Sequence, residues 1–386
     1  MTKKLDPKKN LLSHSEAKVK FYKTYLERYL RILCSSEYIK NINIYDLFCG
    51  RGIYENGGKG SPIAAFEAIE SCFIDENKKI NTDITLIVND IAKENVDAVK
   101  EYIDKHTHNY CSVRYFNVDI QDMFITVKNE VNKTKNNTRN IIFIDPYGYK
   151  DIKKDLLLSL MENKKTEIIL FLPISHMYRF TKTALQHEEN AQYEALRQFI
   201  DGFFPENHKI RTEKIYIMDY IKCISDALRF NNQFYTTSYY IERDQSNYFA
   251  LFFLSSHIFG FEKILEVKWY LDEDNGKGFK IQDSQGDLFA DCVSEEIKMN
   301  NAKNLEDILL AALAQPKTNN EIYKITLKNE YLPKHTTEIL IKWQDTKSNF
   351  KVVDIKTGKP ARKRAFYISY NHYKSSAKVN FIIEKI

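Results

Sequence analysis

The chain has 386 residues and is 43% hydrophobic, 28% charged and 13% aromatic, with a formal net charge of +5. This composition excludes intrinsic disorder and collagen-like repeats, and the length allows two domains with a large core in at least one. No stretch approaches the roughly eighteen apolar residues of a membrane span, and the opening MTKKLDPKKN lacks the apolar run of a signal peptide, so a cytoplasmic protein that contacts no membrane is expected.

Between Ser15 and Leu33, the residues Val19, Tyr22, Leu26, Tyr29 and Leu33 fall on one face of a predicted helix. INIYDLF is then a predicted strand that runs into the glycine loop of YDLFCGRG. Ser61 is the expected N-cap of the next helix, with Pro62 at its first position, where the missing N–H is tolerated. TDITLIVND, CSVRYFNVDI, RNIIFIDPYG and TEIILFLPIS read as four more strands, each separated from the next by an amphipathic helical pattern. Continuous apolar runs alternating with helices predict a parallel sheet covered on both faces. SYYIERD and NYFALFFLSS follow, with Gln245-Ser246-Asn247 between them, and read as an antiparallel hairpin.

A parallel core closed by such a hairpin is the layout expected of a Rossmann-like methyltransferase, less so of a dinucleotide dehydrogenase. The polar stretch from Leu271 to Gly286 marks a loop or a domain exit, and EDILLAALAQ a connecting helix. The expected fold class is α/β, with the methyltransferase-like sheet over residues 1–290 and a smaller basic domain over 300–386. From Asn301 onward 16 Lys and Arg stand against 8 Asp and Glu, a local net charge of +8 that points to a polyanion. Within it, KTNNEIYKITLKN and KHTTEILIKWQ are two short helices, and FKVVDIKTGKPARKRAFYISY resembles a two-stranded wing with Gly358-Lys359-Pro360 at its tip. In a winged helix the second helix reaches the major groove while the wing touches phosphates. Lys334, His335 and Thr336 on the helix, with Lys359, Arg362, Lys363 and Arg364 on the wing, are the nucleic-acid-binding candidates. The six cysteines are scattered without a CxxC pair, so neither a zinc site nor a disulfide framework is expected.

The glycine loop selects among ligands. A dinucleotide fingerprint requires a third glycine where Glu55 stands, and no GK[ST] follows to make a phosphate-binding P-loop. S-adenosyl-L-methionine has no pyrophosphate, and Asp46, Phe48, Gly50 and Gly52 form the DxFxGxG step that lets the backbone approach it. Asp46 would anchor the loop or accept from the cofactor's amino group. Asp90 would accept both ribose hydroxyls, and Asp119 the adenine amino group, although either acid also serves as an ordinary helix cap. Asp145, Pro146 and Tyr147 form the step at which enzymes methylating an exocyclic amine hold their base: the acid accepts amine hydrogens and the ring stacks. His176 and Arg179 follow the fifth strand, where target-side loops cluster in open α/β sheets, and read first as a satisfied loop histidine and a surface arginine, with a place beside the pocket as the alternative.

IYDLFCGRGIYENGGKGSPIAAFEAI, preceded by a KxxxYxxYL-type helix from Lys18 to Leu30 and followed by IDPYG, resembles the three-Cys-motif partner protein family, TcmP. The resemblance implies a class I methyltransferase fold with a winged-helix-like end and a three-Cys-motif partner protein. Arg51 and Tyr147 depart from the family pattern, and Arg51 has no assigned role. The leading expectation is a base-amine N-methyltransferase of DNA or RNA. The alternatives are a non-catalytic nucleic-acid-binding adaptor on the same scaffold, and an enzyme with a protein or small-molecule substrate.

Overall fold

The computed structural model describes residues 11–74, 80–106, 110–244, 247–280 and 290–384. The expected turn residues Gln245 and Ser246, and the part of the 271–286 stretch beyond Lys280, lie outside the described residues. The chain divides into two compact units, Met1–Val267 with Lys277–Gln282, and Lys268–Gly276 with Asp283–Ile386.

In the first unit α1 (Ser13–Cys34) precedes an alternation of β1 (Asn41–Asp46), α2 (Ser61–Phe73), β2 (Asp83–Asn89), α3 (Lys93–Asp104), β3 (Ser112–Phe116), α4 (Ile120–Asn132), β4 (Thr138–Ile144), α5 (Lys154–Met161), β5 (Thr166–Leu172) and α6 (Ile174–Gln186). Helices α7 (Glu194–Phe203), α8 (Lys209–Thr212) and α9 (Ile217–Ala227) lead to the pair β6 (Tyr235–Asp244) and β7 (Asn247–Ser255), then α10 (Ile258–Leu271), whose last residues from Lys268 belong to the second unit, and β8 (Gly278–Phe279). Among the described residues these strands form one eight-stranded sheet in the order β3-β2-β1-β4-β5-β7-β6-β8. Neighbours from β3 through β5 are parallel, whereas β7 lies antiparallel to both β5 and β6. This is the anticipated parallel core closed by a hairpin. Every residue of β5 is buried, and so is all of β4 except Arg139, as strands sandwiched between helices require.

Helix α1 buries Val19, Phe21, Tyr22, Tyr25, Leu26, Tyr29 and Leu30. The stripe is wider than the expected one and leaves Leu33 half-buried, because the helix packs on the sheet and on α2 at once. Tyr22 stacks on Phe143 of β4 at 4.3 Å between ring centroids, and Tyr25 meets Phe253 of β7 edge-on at 5.0 Å. Helix α2 begins one residue earlier than expected. Gly60 is its N-cap and Ser61 its first residue, with no side-chain capping bond.

The strand order reverses at β1, which pairs with β2 on one side and β4 on the other. Ligands of open α/β sheets bind at the carboxyl ends of strands at such a switch point. Register fixes the depth of the acids there. Asp46 is level with Val88 and Phe143, so Asp90 and Asp145 each lie two residues further along their strands, about 7 Å nearer the rim.

The second unit contains α11 (Ala290–Ala312), β9 (Lys317–Thr318), α12 (Asn319–Lys328), α13 (Pro333–Thr346), β10 (Phe350–Asp354), α14 (Tyr370–Tyr373) and β11 (Val379–Ile383). Its three described strands form an antiparallel sheet in the order β10-β11-β9. The unit begins earlier than composition suggests because Lys268 pairs with Glu330 and the Trp269 indole donates to the Glu330 carbonyl at 2.8 Å. The ladder partner of β10 is β11; of the expected wing, the chain returning from the Gly358-Lys359-Pro360 tip bonds β10 only as far as Ala361, through a bridge between Val353 and Pro360 and an Ala361 N–H donated to the Val352 carbonyl (2.8 Å). Arg364 and Tyr367 adopt positive φ (63° and 55°), which breaks an extended strand, and Phe366 and Ile368 turn into the core.

Candidate active site

The loop after β1 is held by backbone bonds to its neighbours. Leu47 N–H donates to the Phe143 carbonyl (3.2 Å), Cys49 N–H to the Asn89 carbonyl (2.9 Å), and Gly50 N–H to Asp90 Oδ2 (2.9 Å). Gly50 and Gly52 have φ of +57° and +73°. A Cβ on Gly52 would lie 2.7 Å from Val99 Cγ2 of α3, and one on Gly60 would lie 3.1 Å from the Gly52 carbonyl oxygen. Gly52 and Gly60 thus allow loop, helix start and α3 to approach more closely than any side chain permits. Phe48 is half-buried against the core beneath the loop.

Asp46 is fully buried, and neither of its carboxylate oxygens makes a hydrogen bond of acceptable geometry. The Ser61 hydroxyl and the Phe48 N–H are near enough to favour its charge without completing such a bond. Burial dominates and pushes the carboxyl up to about 7, opposed by Ser61 and Lys18 and aided by the charge of Asp145. A buried carboxylate with open acceptor sites costs free energy unless a ligand completes it. The Tyr22 hydroxyl, also fully buried and without a hydrogen-bond partner, lies within electrostatic reach of Asp46.

Asp90 is 2% exposed, and its oxygens accept N–H bonds from Gly50 and from Ala92 (2.9 Å each). It therefore ties the glycine loop to the start of α3, while a carboxylate has lone pairs for further donors. Asn89 fastens three strand ends, donating to the carbonyls of Leu47 and Val118 (3.3 Å each) and accepting from Val118 N–H (3.2 Å). Asp119 is exposed and caps α4 through Oδ1, which accepts from Gln121 N–H at 2.9 Å.

At the end of β4, Pro146 is buried and Tyr147 is 84% exposed, the most exposed large apolar or aromatic side chain among the described residues. Asp145 accepts a hydrogen bond from Lys18 Nζ of α1, and that ammonium also lies 4.6 Å from the centroid of the Phe171 ring. Tyr54, at the tip of the glycine loop, places its hydroxyl 3.7 Å from where a Gly50 side chain would begin. Burial and the nearby carboxylates of Asp145, Asp46 and Asp90 push that hydroxyl above its ordinary range. Lys18 and Tyr54 therefore join Asp46, Gly50, Gly52, Asp90 and Asp145 in one cluster, and Arg51 is exposed on its loop. Neither Lys18 nor Tyr54 is among the site residues expected from sequence, although Lys18 opens the KxxxYxxYL helix, Tyr54 lies in the quoted glycine-loop stretch, and Lys18 puts a charge on the otherwise buried face of a helix. His176 and Arg179 are engaged elsewhere, with Tyr149 Oη (3.1 Å) and Asn247 Oδ1 (3.0 Å).

In the second unit the nucleic-acid candidates divide. Lys334, Lys359, Arg362, Lys363 and Arg364 are all exposed. Lys363 and Arg364 pair with Asp345 of α13 at 2.7 and 3.7 Å. Thr336 is a correction: it is fully buried and its hydroxyl bonds Thr326 Oγ1 at 2.7 Å, so it is core and touches no ligand. His335 is a second. Its Nδ1 accepts from Leu332 N–H (3.2 Å), its ring packs edge-on against Trp269 at 4.4 Å, and burial lowers its pKa to about 4, so it carries no charge toward a polyanion at neutral pH.

No protein-family model matches the chain, and no curated protein sequence matches it. Its fold is similar to solved structures that include WbdD (10% identity, TM-score 0.33, 62% of this chain and 40% of that one). Others are the magnesium protoporphyrin IX methyltransferase ChlM from Synechocystis PCC 6803 with bound SAH (9%, 0.29, 62% and 85%) and a dimethyladenosine transferase from Plasmodium falciparum (10%, 0.26, 72% and 78%). The chain spans less than half the length of WbdD. These likenesses carry nothing about chemistry, which rests on the residues of this chain. Among the described residues no helix is long and apolar enough to cross a membrane.

Proposed function

We propose that the protein is an S-adenosyl-L-methionine-dependent methyltransferase that acts on an exocyclic base amine of nucleic acid, with its basic second unit holding the polyanion. The observation that carries this reading is Asp46, a fully buried carboxylate with open acceptor sites at the switch point of the sheet. The site fits this cofactor. Asp46 complements its amino group, Gly50 and Gly52 turn the loop tightly at positive φ while Gly52 and Gly60 let it pack closely on α3 and the start of α2, and Asp90 and Asp119 stand at the next two strand ends for ribose and adenine. When bound, the cofactor supplies an electrophilic methyl group on a sulfonium.

The rest is done by the chain. Asp145 accepts hydrogens of the target amine, which turns the nitrogen lone pair outward, and Pro146 fixes the backbone that carries it. Tyr147 offers an exposed ring on which the base stacks. A prior strong base is unnecessary, because the proton leaves after transfer.

The order α11, β9, α12, α13, β10, α14, β11, with β11 central in its sheet and only the one-turn α14 between the last two strands, supports a winged-helix reading of the second unit. Lys334, Lys359 and Arg362 are its phosphate contacts, and a three-Cys-motif protein is the partner that the sequence resemblance implies. The adaptor reading is favoured by one observation, the Lys18 ammonium already seated on Asp145. Isothermal titration with S-adenosylmethionine separates the two readings, since failure to bind at millimolar concentration removes the enzyme. Mass spectrometry of nucleic acid from cells with and without the protein then tests the substrate, the expected difference being one methylated base.

A further inference from the structure

Lys18 has an unusual setting for a lysine. Its side chain is 12% exposed, its Nζ donates to Asp145, and it lies over the Phe171 ring. Tyr22, one helical turn on, stacks on Phe143 of β4, the residue level with Asp46 on β1. One cation and one open carboxylate thus lie within each other's field at the switch point. An α-amino acid head presents the complementary pair, an ammonium and a carboxylate one carbon apart. Asp46 can satisfy the first and cannot hold the second.

Two cations near the loop could take the carboxylate. Arg51 is exposed, and the loop's own bonds do not orient its side chain. Lys18 is already desolvated and positioned by α1, so less ordering entropy is lost when it binds. Lys59 and Lys23 are committed to Glu67.

We propose that Lys18 receives the α-carboxylate of the cofactor's amino-acid head, and that its transfer from Asp145 frees that acid for the target amine. This rests on the cofactor reading above. Lys18 and a target amine compete for Asp145 Oδ2, whereas the cofactor's carboxylate competes with Asp145 for Lys18. Cofactor loading therefore favours amine binding, and the order of addition is cofactor first. Lys18 is a positioning residue in this scheme and exchanges no proton with the substrate.

Isothermal titration of the full chain with S-adenosylhomocysteine, its decarboxylated analogue and methylthioadenosine tests the idea, because these carry the whole head, the amine alone and neither group. The wild type is expected to bind S-adenosylhomocysteine more tightly than the decarboxylated analogue. Lys18→Met is expected to weaken S-adenosylhomocysteine on the order of 10- to 100-fold, to abolish that preference and to leave methylthioadenosine within about twofold. Equal loss for all ligands, a preserved preference, or abolition of the preference by Arg51→Ala instead would each overturn it. If Lys18→Met does not fold, the wild type still decides: equal affinity for S-adenosylhomocysteine and its decarboxylated analogue overturns the proposal. Binding of none of the ligands by the wild type overturns the cofactor reading itself, a result distinct from these.

Discussion

Lys18 of α1 and Asp145 at the end of β4 form an ion pair across 127 positions of sequence. The contact joins the helix that covers the sheet to the acid that the proposed reaction needs, and it places a cation on Oδ2, one of the two oxygens open to an amine. Asp145→Ala removes the acceptor without touching the glycine loop. It is expected to lower methyl transfer by about two orders of magnitude or more, with S-adenosylhomocysteine affinity undiminished and, because Lys18 no longer has to leave Asp145, raised. Single-turnover kinetics with titration on the same preparation checks both. A fully active variant would remove Asp145 from the mechanism.

Asp46 predicts a dependence on pH. Its carboxyl titrates near 7 in the folded protein, above the ordinary value of 3.8, because burial disfavours the charge. An ammonium ligand needs the ionised form, so cofactor affinity is expected to rise as pH increases through about 7. Stability runs the other way. A raised folded pKa contributes stability below the unfolded value that is lost as pH rises through the folded one. Asp46→Asn should therefore stabilise the chain more at pH 8 than at pH 5, by an amount on the order of 2–4 kcal/mol at the higher pH, while abolishing cofactor binding. Thermal melts at the two pH values measure the first effect and titration the second.

The parallel core and the acids at strand ends are legible in the sequence because each is set by a local run of residues. The Lys18–Asp145 pair is not, since it depends on where α1 crosses the sheet. Ser61 is a cap by local rule, yet it lies inside the helix beside buried Asp46, so a tertiary interaction displaces a local preference. Thr336 differs in kind. Thr336, Ile339, Leu340 and Trp343 are spaced as one helical face and are all buried, so the periodicity itself places Thr336 inward, against its reading as a ligand contact.

Gly52 is expected to tolerate no side chain. At φ +73°, with Val99 Cγ2 2.7 Å from where a Cβ would sit, Gly52→Ala adds left-handed strain to a clash with α3. The expected cost is about 1–3 kcal/mol, together with loss of cofactor binding as the loop shifts. Gly148→Ala, next to the acceptor step, meets nothing within 4 Å and should leave both stability and binding unchanged. Denaturant melts of the two variants compare directly, and equal stability of Gly52→Ala and wild type would show that the loop carries no such constraint.

The second unit makes a prediction about salt. Lys359 and Arg362 are exposed, and no ion pair to either is found among the described residues, whereas Lys363 and Arg364 are engaged with Asp345. Replacing both of these cations, Lys359→Ala with Arg362→Ala, should weaken duplex binding at every sequence and reduce the slope of log affinity against log salt by about 2. Thr336→Val should leave that slope unchanged and cost about 0.5–1.5 kcal/mol of stability, because it removes a buried hydroxyl pair and not a phosphate contact. Fluorescence anisotropy across a salt series reads the slopes. An unaltered slope in the double variant would move the polyanion contact off the wing, toward Lys334 at the start of α13, where a single Lys334→Ala would then lower it by about 1.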